Sequence, residues 1–226
     1  MKKSKILGVI LALSMLPTFS IANASEYDLS QEAYESDTWW LSMDGNLNPD
    51  ENAIAITKNY ARTGDGALYI NRSDYTVSSD HEWNVYNVCA QASSVPLEQG
   101  EYTLTFWMKG DQTDYIRILL GYDGKYLTYP TTGVSASNAI VQVDPIDADD
   151  KGWCQYEVKY NIESDYAGTT QDFKILADLL RTNISIENGI FTESYTSQAK
   201  NVLIDDIVLV KSGSDVNLIN DGGFEQ

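Results

Sequence analysis

Residues 100–110, GEYTLTFWMKG, constrain this chain more than any other stretch. Between two glycines, Tyr102, Leu104, Phe106 and Met108 take one set of alternate positions; Thr103, Thr105, Trp107 and Lys109 take the other. Successive strand side chains point to opposite faces, so a period of two carried by aromatic and β-branched residues specifies a half-buried β-strand. Such a strand buries nothing alone. It needs sheet neighbours and a second layer against its apolar face.

Candidate partners recur along the chain. Residues 82–92 (EWNVYNVCAQA) set Tyr86, Val88 and Ala90 against Trp83, Val85, Asn87, Cys89 and Gln91. Residues 115–122 (YIRILLGY), 153–161 (WCQYEVKYN) and 201–211 (NVLIDDIVLVK) alternate in the same way, and 53–57, 67–70 and 139–143 read as shorter strands. Residues 173–180 fit either helix or strand and are read as strand, because an isolated helix sits poorly among so many β segments. Residues 123–138 and 185–196 are polar and read as loops, as do the Asn-, Asp- and Pro-rich residues 44–52. Turn-separated strands without helical periodicity predict an all-β fold, a sandwich or a barrel.

The first 24 residues stand apart. Lys2, Lys3 and Lys5 precede a short apolar run at 6–16, and Ala22-Asn23-Ala24 supplies small residues for cleavage before Ser25. This is the pattern of a secretory signal peptide, and the run is too short for a spanning helix of about 20 residues. The mature chain is expected to be secreted, to the periplasm or the medium, without membrane insertion. Three of the 15 basic residues leave with the leader, so 12 face 33 acids, a formal charge of −21. That charge excludes nucleic acid and argues against anionic polymers as partners. Cys89 and Cys154 enter a compartment where disulfides persist, but whether they pair is left open by the sequence. No Cys/His cluster exists for zinc.

Catalytic signals are poor. His81 is the single histidine, and no Gly-x-Ser-x-Gly elbow accompanies it. The loops at 44–50 and 147–152 resemble EF-hands only superficially, because the first has Pro49 where Gly is required and the second lacks ligands at its fifth and twelfth places.

Several motifs fall in an order that carries a family resemblance. They are Thr63-Gly64-Asp65-Gly66-Ala67-Leu68; Leu97-x-x-Gly100-x-Tyr102-Thr103-Leu104-x-Phe106-Trp107-x-Lys109-Gly110; Gly152-Trp153-x-x-Tyr156; and Ile204-Asp205-Asp206-Ile207-x-Leu209. Together they resemble the jelly-roll carbohydrate-binding modules attached to bacterial cellulases and xylanases, within the galactose-binding-like superfamily. The resemblance implies a two-sheet antiparallel β-sandwich (jelly roll). Residues 100–110, 67–70, 153–161 and 201–211 would share one sheet; 82–92, 115–122 and 173–180 would form the other. Residues 216–226 (VNLINDGGFEQ) echo 27–36 (YDLSQEAYES) and resemble the start of such modules. The expected organisation is therefore a signal peptide at 1–24, a jelly-roll domain at 25–211, and a linker with the opening of a further module at 212–226.

The resemblance also implies where function lies. Polysaccharide would bind on the second sheet, whose outward candidates are Trp83, Asn87, Gln91, Tyr115, Arg117, Lys174 and Asp178, with Tyr126 and Tyr129 at a rim. Aromatic faces stack on sugar C–H groups while amides and charges bond the hydroxyls. Calcium would be structural, with Glu35, Asp65 and Asp205 as candidate ligands and the Gly64–Gly66 loop supplying carbonyls. Asp206 faces away from Asp205 if strand alternation holds. Trp107, on the other sheet, is expected to lie under the N-terminal segment or a loop. The implied protein is a non-catalytic glycan-binding module linked to other modules. A structural or adhesive spacer and a small jelly-roll glycosidase or lyase are the alternatives.

Overall fold

The computed structural model describes residues 33–34, 36–43, 53–58, 60–71, 75–79, 88–110, 116–122, 125–129, 144–162, 169–177, 179–188, 190–197 and 200–225. In chain order the strands are β1 (Ala33–Tyr34), β2 (Trp39–Met43), β3 (Ile54–Lys58), β4 (Gly66–Ile70), β5 (Tyr75–Ser79), β6 (Val88–Leu97), β7 (Gly100–Lys109) and β8 (Ile116–Tyr122). They continue with β9 (Lys125–Tyr129), β10 (Asp147–Ala148), β11 (Cys154–Ile162), β12 (Thr169–Ala177), β13 (Leu179–Glu187), β14 (Ile190–Ser197) and β15 (Val202–Lys211). All pairings among them are antiparallel.

The main sheet runs β1-β3-β4-β15-β7-β11-β10 and the second runs β2-β6-β12-β8-β9. The expected partition into two sheets of a sandwich is thus observed. Tyr102, Leu104, Phe106 and Met108 of β7 are buried in one core with Tyr156, Val158 and Tyr160 of β11 and with Ala90, Ile118, Phe173 and Ile175 of the second sheet. Among the described residues no helix is long and apolar enough to cross a membrane. Cys89 lies in the second sheet and Cys154 in the main sheet, both as free thiols.

A smaller apolar cluster sits on the outer face of the main sheet, formed by Ala67, Tyr69, Trp107, Trp153 and Leu203 under Tyr60 and Ala61. It explains why every residue of β4 is buried, since that strand is covered on both sides. Trp107 is covered by a loop as expected: the Arg62 guanidinium lies 3.5 Å from its ring centroid and is tied to Asp206 at 2.8 Å and Asp149 at 3.4 Å. Such a cation over an indole face is an attraction of about 0.5–2 kcal/mol.

Three features depart from the sequence reading. The first is a third sheet, β13-β14-β5. The end of β13 and nearly all of β14 fall within residues 185–196, read above as a loop because hydroxyl-rich strands lack an apolar alternation. Residues 125–129 likewise form β9 rather than loop. The second concerns residues 212–226. Up to Glu225 they are not a linker running to another module; they turn back and complete this domain. The turn is closed by Ser214 N–H donating to the Lys211 carbonyl at 2.9 Å. Leu218 N–H then donates to the Leu209 carbonyl, and Ile207 N–H to the Gly222 carbonyl, both at 2.8 Å. Ile219 and Phe224 enter the main core, where leaving them in water would forfeit their burial energy. Gly222 is required by contact, because a Cβ there would lie 1.9 Å from the Ile207 carbonyl oxygen. The third is a bulge in β15 between Asp205 and Val208, with Asp206 at φ 50°. A bulge breaks the alternation that would otherwise set Asp205 and Asp206 on opposite faces.

Candidate functional site

The second sheet offers an outer face whose rows follow from its register. Trp40 of β2 pairs with Gln91 of β6, Gln91 with Lys174 of β12, and Lys174 with Leu119 of β8. Trp40 is 62% exposed, whereas its neighbour Trp39 is 3% exposed. The contrast is strand alternation at work: Trp39 points into the core and thereby presents Trp40 to solvent. Trp39 is held on several sides. Its ring meets Phe224 at 4.8 Å and Phe173 edge-on at 6.1 Å, and its Nε1–H donates to the Asp221 carbonyl at 2.8 Å. Thr38 Oγ1 donates to Asp221 Oδ2 at 3.0 Å. The tail thus fixes β2 and, through it, the exposed indole.

Beside Trp40, Gln91 and Lys174 are half-buried, and Lys174 Nζ lies 3.9 Å from Asp172 Oδ2 two residues along β12. An exposed indole flanked by an amide, an ammonium and a carboxylate supplies one flat apolar platform and hydrogen-bonding groups of both kinds. One row further, Leu176 and Cys89 pack together, and Arg117 pairs with Leu176.

Of the residues expected to contact sugar, Gln91 and Lys174 share the Trp40 row and Arg117 falls in the next outer row. Tyr126 pairs with Gly121, which pairs with Asp172. Tyr129 pairs with Ile118, in the row of buried Ala90 and Ile175. Trp83, Asn87, Tyr115 and Asp178 lie outside the described residues, as does Glu35. Trp40 was missed by the sequence reading, although the adjacent tryptophans of DTWWLS carried the signal, because alternation can bury only one of them.

A separate acidic cluster lies where the 60–65 loop meets β15 and the tail. Asp205 is fully buried. Its Oδ2 accepts from Arg62 N–H at 2.7 Å and Thr63 N–H at 3.3 Å, and its Oδ1 accepts from Asp206 N–H at 2.6 Å. Burial, with the charge of Asp206 second, pushes its carboxyl up to about 7 against those bonds, which favour the charged form. Through the bulge, Asp206 turns to the same loop and accepts from Thr63 Oγ1 and from Arg62. Glu225 reaches the loop from the tail, its Oε2 accepting from Asp65 N–H at 2.7 Å. A Cβ on Gly223 would lie 3.4 Å from Glu225 Oε1 and 3.9 Å from Asp205 Oδ1, so both carboxylates approach one spot. Asp65 takes part through its backbone. The donors here are all oxygen, the chemistry calcium takes. Among the described residues no group of three His, Cys, Asp or Glu could hold a metal ion.

The chain is similar to carbohydrate-binding modules of several kinds, at low sequence identity. One is a structure of CBM35 from Paenibacillus barcinonensis, 10% identical, with a TM-score of 0.39 over 77% of this chain and 99% of that one. A second is the CBM22-1 xylan-binding domain of Xyn10C from the same organism, 14% identical, with a TM-score of 0.37 over 81% and 93%. A third is TmCBM61 in complex with β-1,4-galactotriose, 16% identical, with a TM-score of 0.35 over 77% and 88%. No protein-family model matches the sequence, and no curated protein matches it.

Proposed function

We propose that this chain is an exported, non-catalytic polysaccharide-binding module, attached to further modules, that holds a partner enzyme or surface against glycan. The observation that carries the reading is Trp40, a 62% exposed indole in the second sheet, with Gln91 and Lys174 in its row. Sugar would stack on the indole while Gln91, Lys174 and Asp172 bond its hydroxyls. Because Trp39 is locked in the core, the platform is formed before ligand arrives, which lowers the ordering cost of binding. Calcium belongs to the same proposal as a structural ion, with Asp205 and Glu225 as the residues that would hold it. Its charge would offset the unfavourable ionisation of buried Asp205 and pin the tail to the 60–65 loop.

Retention of the full chain on insoluble xylan, cellulose, mannan and galactan tests the reading. Wild type is expected to be retained on at least one of them without releasing reducing sugar, and Trp40→Ala to be washed off while keeping its unfolding midpoint. Equal retention of Trp40→Ala would overturn the site. No retention of wild type on any glycan would favour a structural spacer, and sugar release would favour a glycosidase or lyase.

A further inference from the structure

Strand β6 breaks step with β12 just beyond the Trp40 row. Ala92 pairs with Phe173 and Val95 with Gln171, so Ser93 and Ser94 together stand opposite the single residue Asp172, a β-bulge. Ser94 takes φ 64° there, a left-handed conformation that strains a residue with a Cβ and that glycine adopts freely. Ala92, Val95 and Phe173 are buried, whereas Ser94 is exposed and the Asp172 side chain is 42% exposed. The bulge therefore turns Ser94 away from the core, to the side that carries Asp172 and, two residues along β12, Lys174. Packing does not call for a serine at this position: the residue is exposed, and glycine would suit its backbone better. Bulges re-aim side chains beside binding sites, and backbone strain of this kind collects where function requires it.

We propose that Ser94 and Asp172 form the specificity row of the Trp40 site: they take the sugar next to the one stacked on the indole and require it to be uncharged, with adjacent hydroxyls. The inference rests on the glycan-binding reading above. Trp40 pairs with Gln91, and the bulge begins two residues further along β6, at the diagonal spacing of about 7–8 Å. Lys174 and Asp172 are likewise two residues, about 7 Å, apart along β12. Each step is comparable to one sugar unit, so a chain stacked on Trp40 and lying along β12 sets its next unit over the bulge. An ionised carboxylate is a pure acceptor with two oxygens, and its bonds from hydroxyl donors are short and strong, which suits a pair of neighbouring hydroxyls. Lys174 Nζ lies 3.9 Å from Asp172 Oδ2, too far for a hydrogen bond, so the carboxylate keeps its acceptor sites for a ligand. The Ser94 hydroxyl both donates and accepts, and so meets a sugar hydroxyl in either sense. A uronate in the same place would face the Asp172 carboxylate within a strongly acidic chain.

The test titrates the full chain with xylotetraose, cellotetraose, mannotetraose and galactotetraose by calorimetry and continues with whichever binds wild type. Asp172→Asn, which keeps the shape of the side chain, is expected to weaken that binding about tenfold. Ser94→Gly and Ser94→Ala should each weaken it about three- to fivefold. Ser94→Gly should do so while keeping its unfolding midpoint, because glycine accepts the left-handed conformation; a bulge that serves only the backbone would lose nothing on that change. Tetragalacturonate is expected not to bind, and Trp40→Ala should abolish binding of every tetraose. Wild-type affinity in both Ser94 variants, or tetragalacturonate bound as tightly as the neutral tetraose, would overturn the inference while leaving the Trp40 site standing. Weaker binding by Ser94→Gly together with a lower midpoint would overturn it as well, since the bulge would then act through folding. Failure of wild type to bind any of the tetraoses would overturn both readings together.

Discussion

Phe224→Ala asks whether the last described residues belong to this domain's core. Phe224 is fully buried, its ring centroid 4.8 Å from that of Trp39, and its neighbour Asp221 accepts the Trp39 indole N–H. Removing a buried phenyl ring costs about 3–5 kcal/mol through lost transfer energy and the cavity left behind. The aromatic contact contributes about 0.5–1.5 kcal/mol of interaction beyond buried area. A loss near 4 kcal/mol is therefore expected, a large part of the roughly 5–15 kcal/mol that holds a typical domain together. Equilibrium urea unfolding, followed by tryptophan fluorescence, measures it as a fall in the midpoint at constant slope. Val216→Ala is the control in the same tail, since Val216 is 64% exposed and should change stability by less than about 0.5 kcal/mol. A Phe224→Ala loss no larger than that of Val216→Ala would refute the argument, because the tail would then lie on the surface without contributing to the core.

Other outcomes follow from the same contacts. Gly222→Ala should destabilise by at least about 2 kcal/mol, read by thermal melting, because its Cβ would collide with the Ile207 carbonyl and the backbone has to move. The raised carboxyl of Asp205 gives a pH signature when cations are chelated. Between its ordinary value of 3.8 and about 7 the folded state holds a proton that the unfolded state releases, so stability is fullest below 3.8 and falls as pH rises through 7. The change is about 4 kcal/mol by linkage, and Asp205→Asn should flatten that part of the pH–stability curve. Adding millimolar calcium at pH 8 should raise the melting temperature of wild type more than that of Glu225→Gln, measured by calorimetry.

The fold was legible where strands are half-buried. In β7 and β11 one set of alternate residues meets the core and the other does not, so the period of two is written into the residue types, and the sheet partition followed. It was illegible in the third sheet, where Ser and Thr occupy rows that an apolar code cannot mark. The tail failed for a different reason: Ile219 and Phe224 look the same in a sequence whether they pack on this domain or open another. Asp205 and Asp206 were separated by an alternation that the bulge at φ 50° removes. At the candidate site, Gln91 and Lys174 could be assigned to one face because β6 and β12 stay paired residue for residue from Ala92 to Val88 and from Phe173 to Ala177. Trp40 was not, since residues 39–43 were given no strand assignment.

The position of β15 has a consequence for assembly. In the main sheet it lies between β4 and β7, so that β1-β3-β4 on one side and β7-β11-β10 on the other are joined only through it. It is also the last of the described strands in chain order. Its residue Ile204 and the β4 residue Leu68, far apart in the chain, meet only after the intervening loop has closed, a pattern that slows folding. A nascent chain in which β11 has emerged but β15 has not therefore carries two unjoined half-sheets. The joining strand, with the Phe224 segment behind it, acts as the commitment step for the whole sandwich.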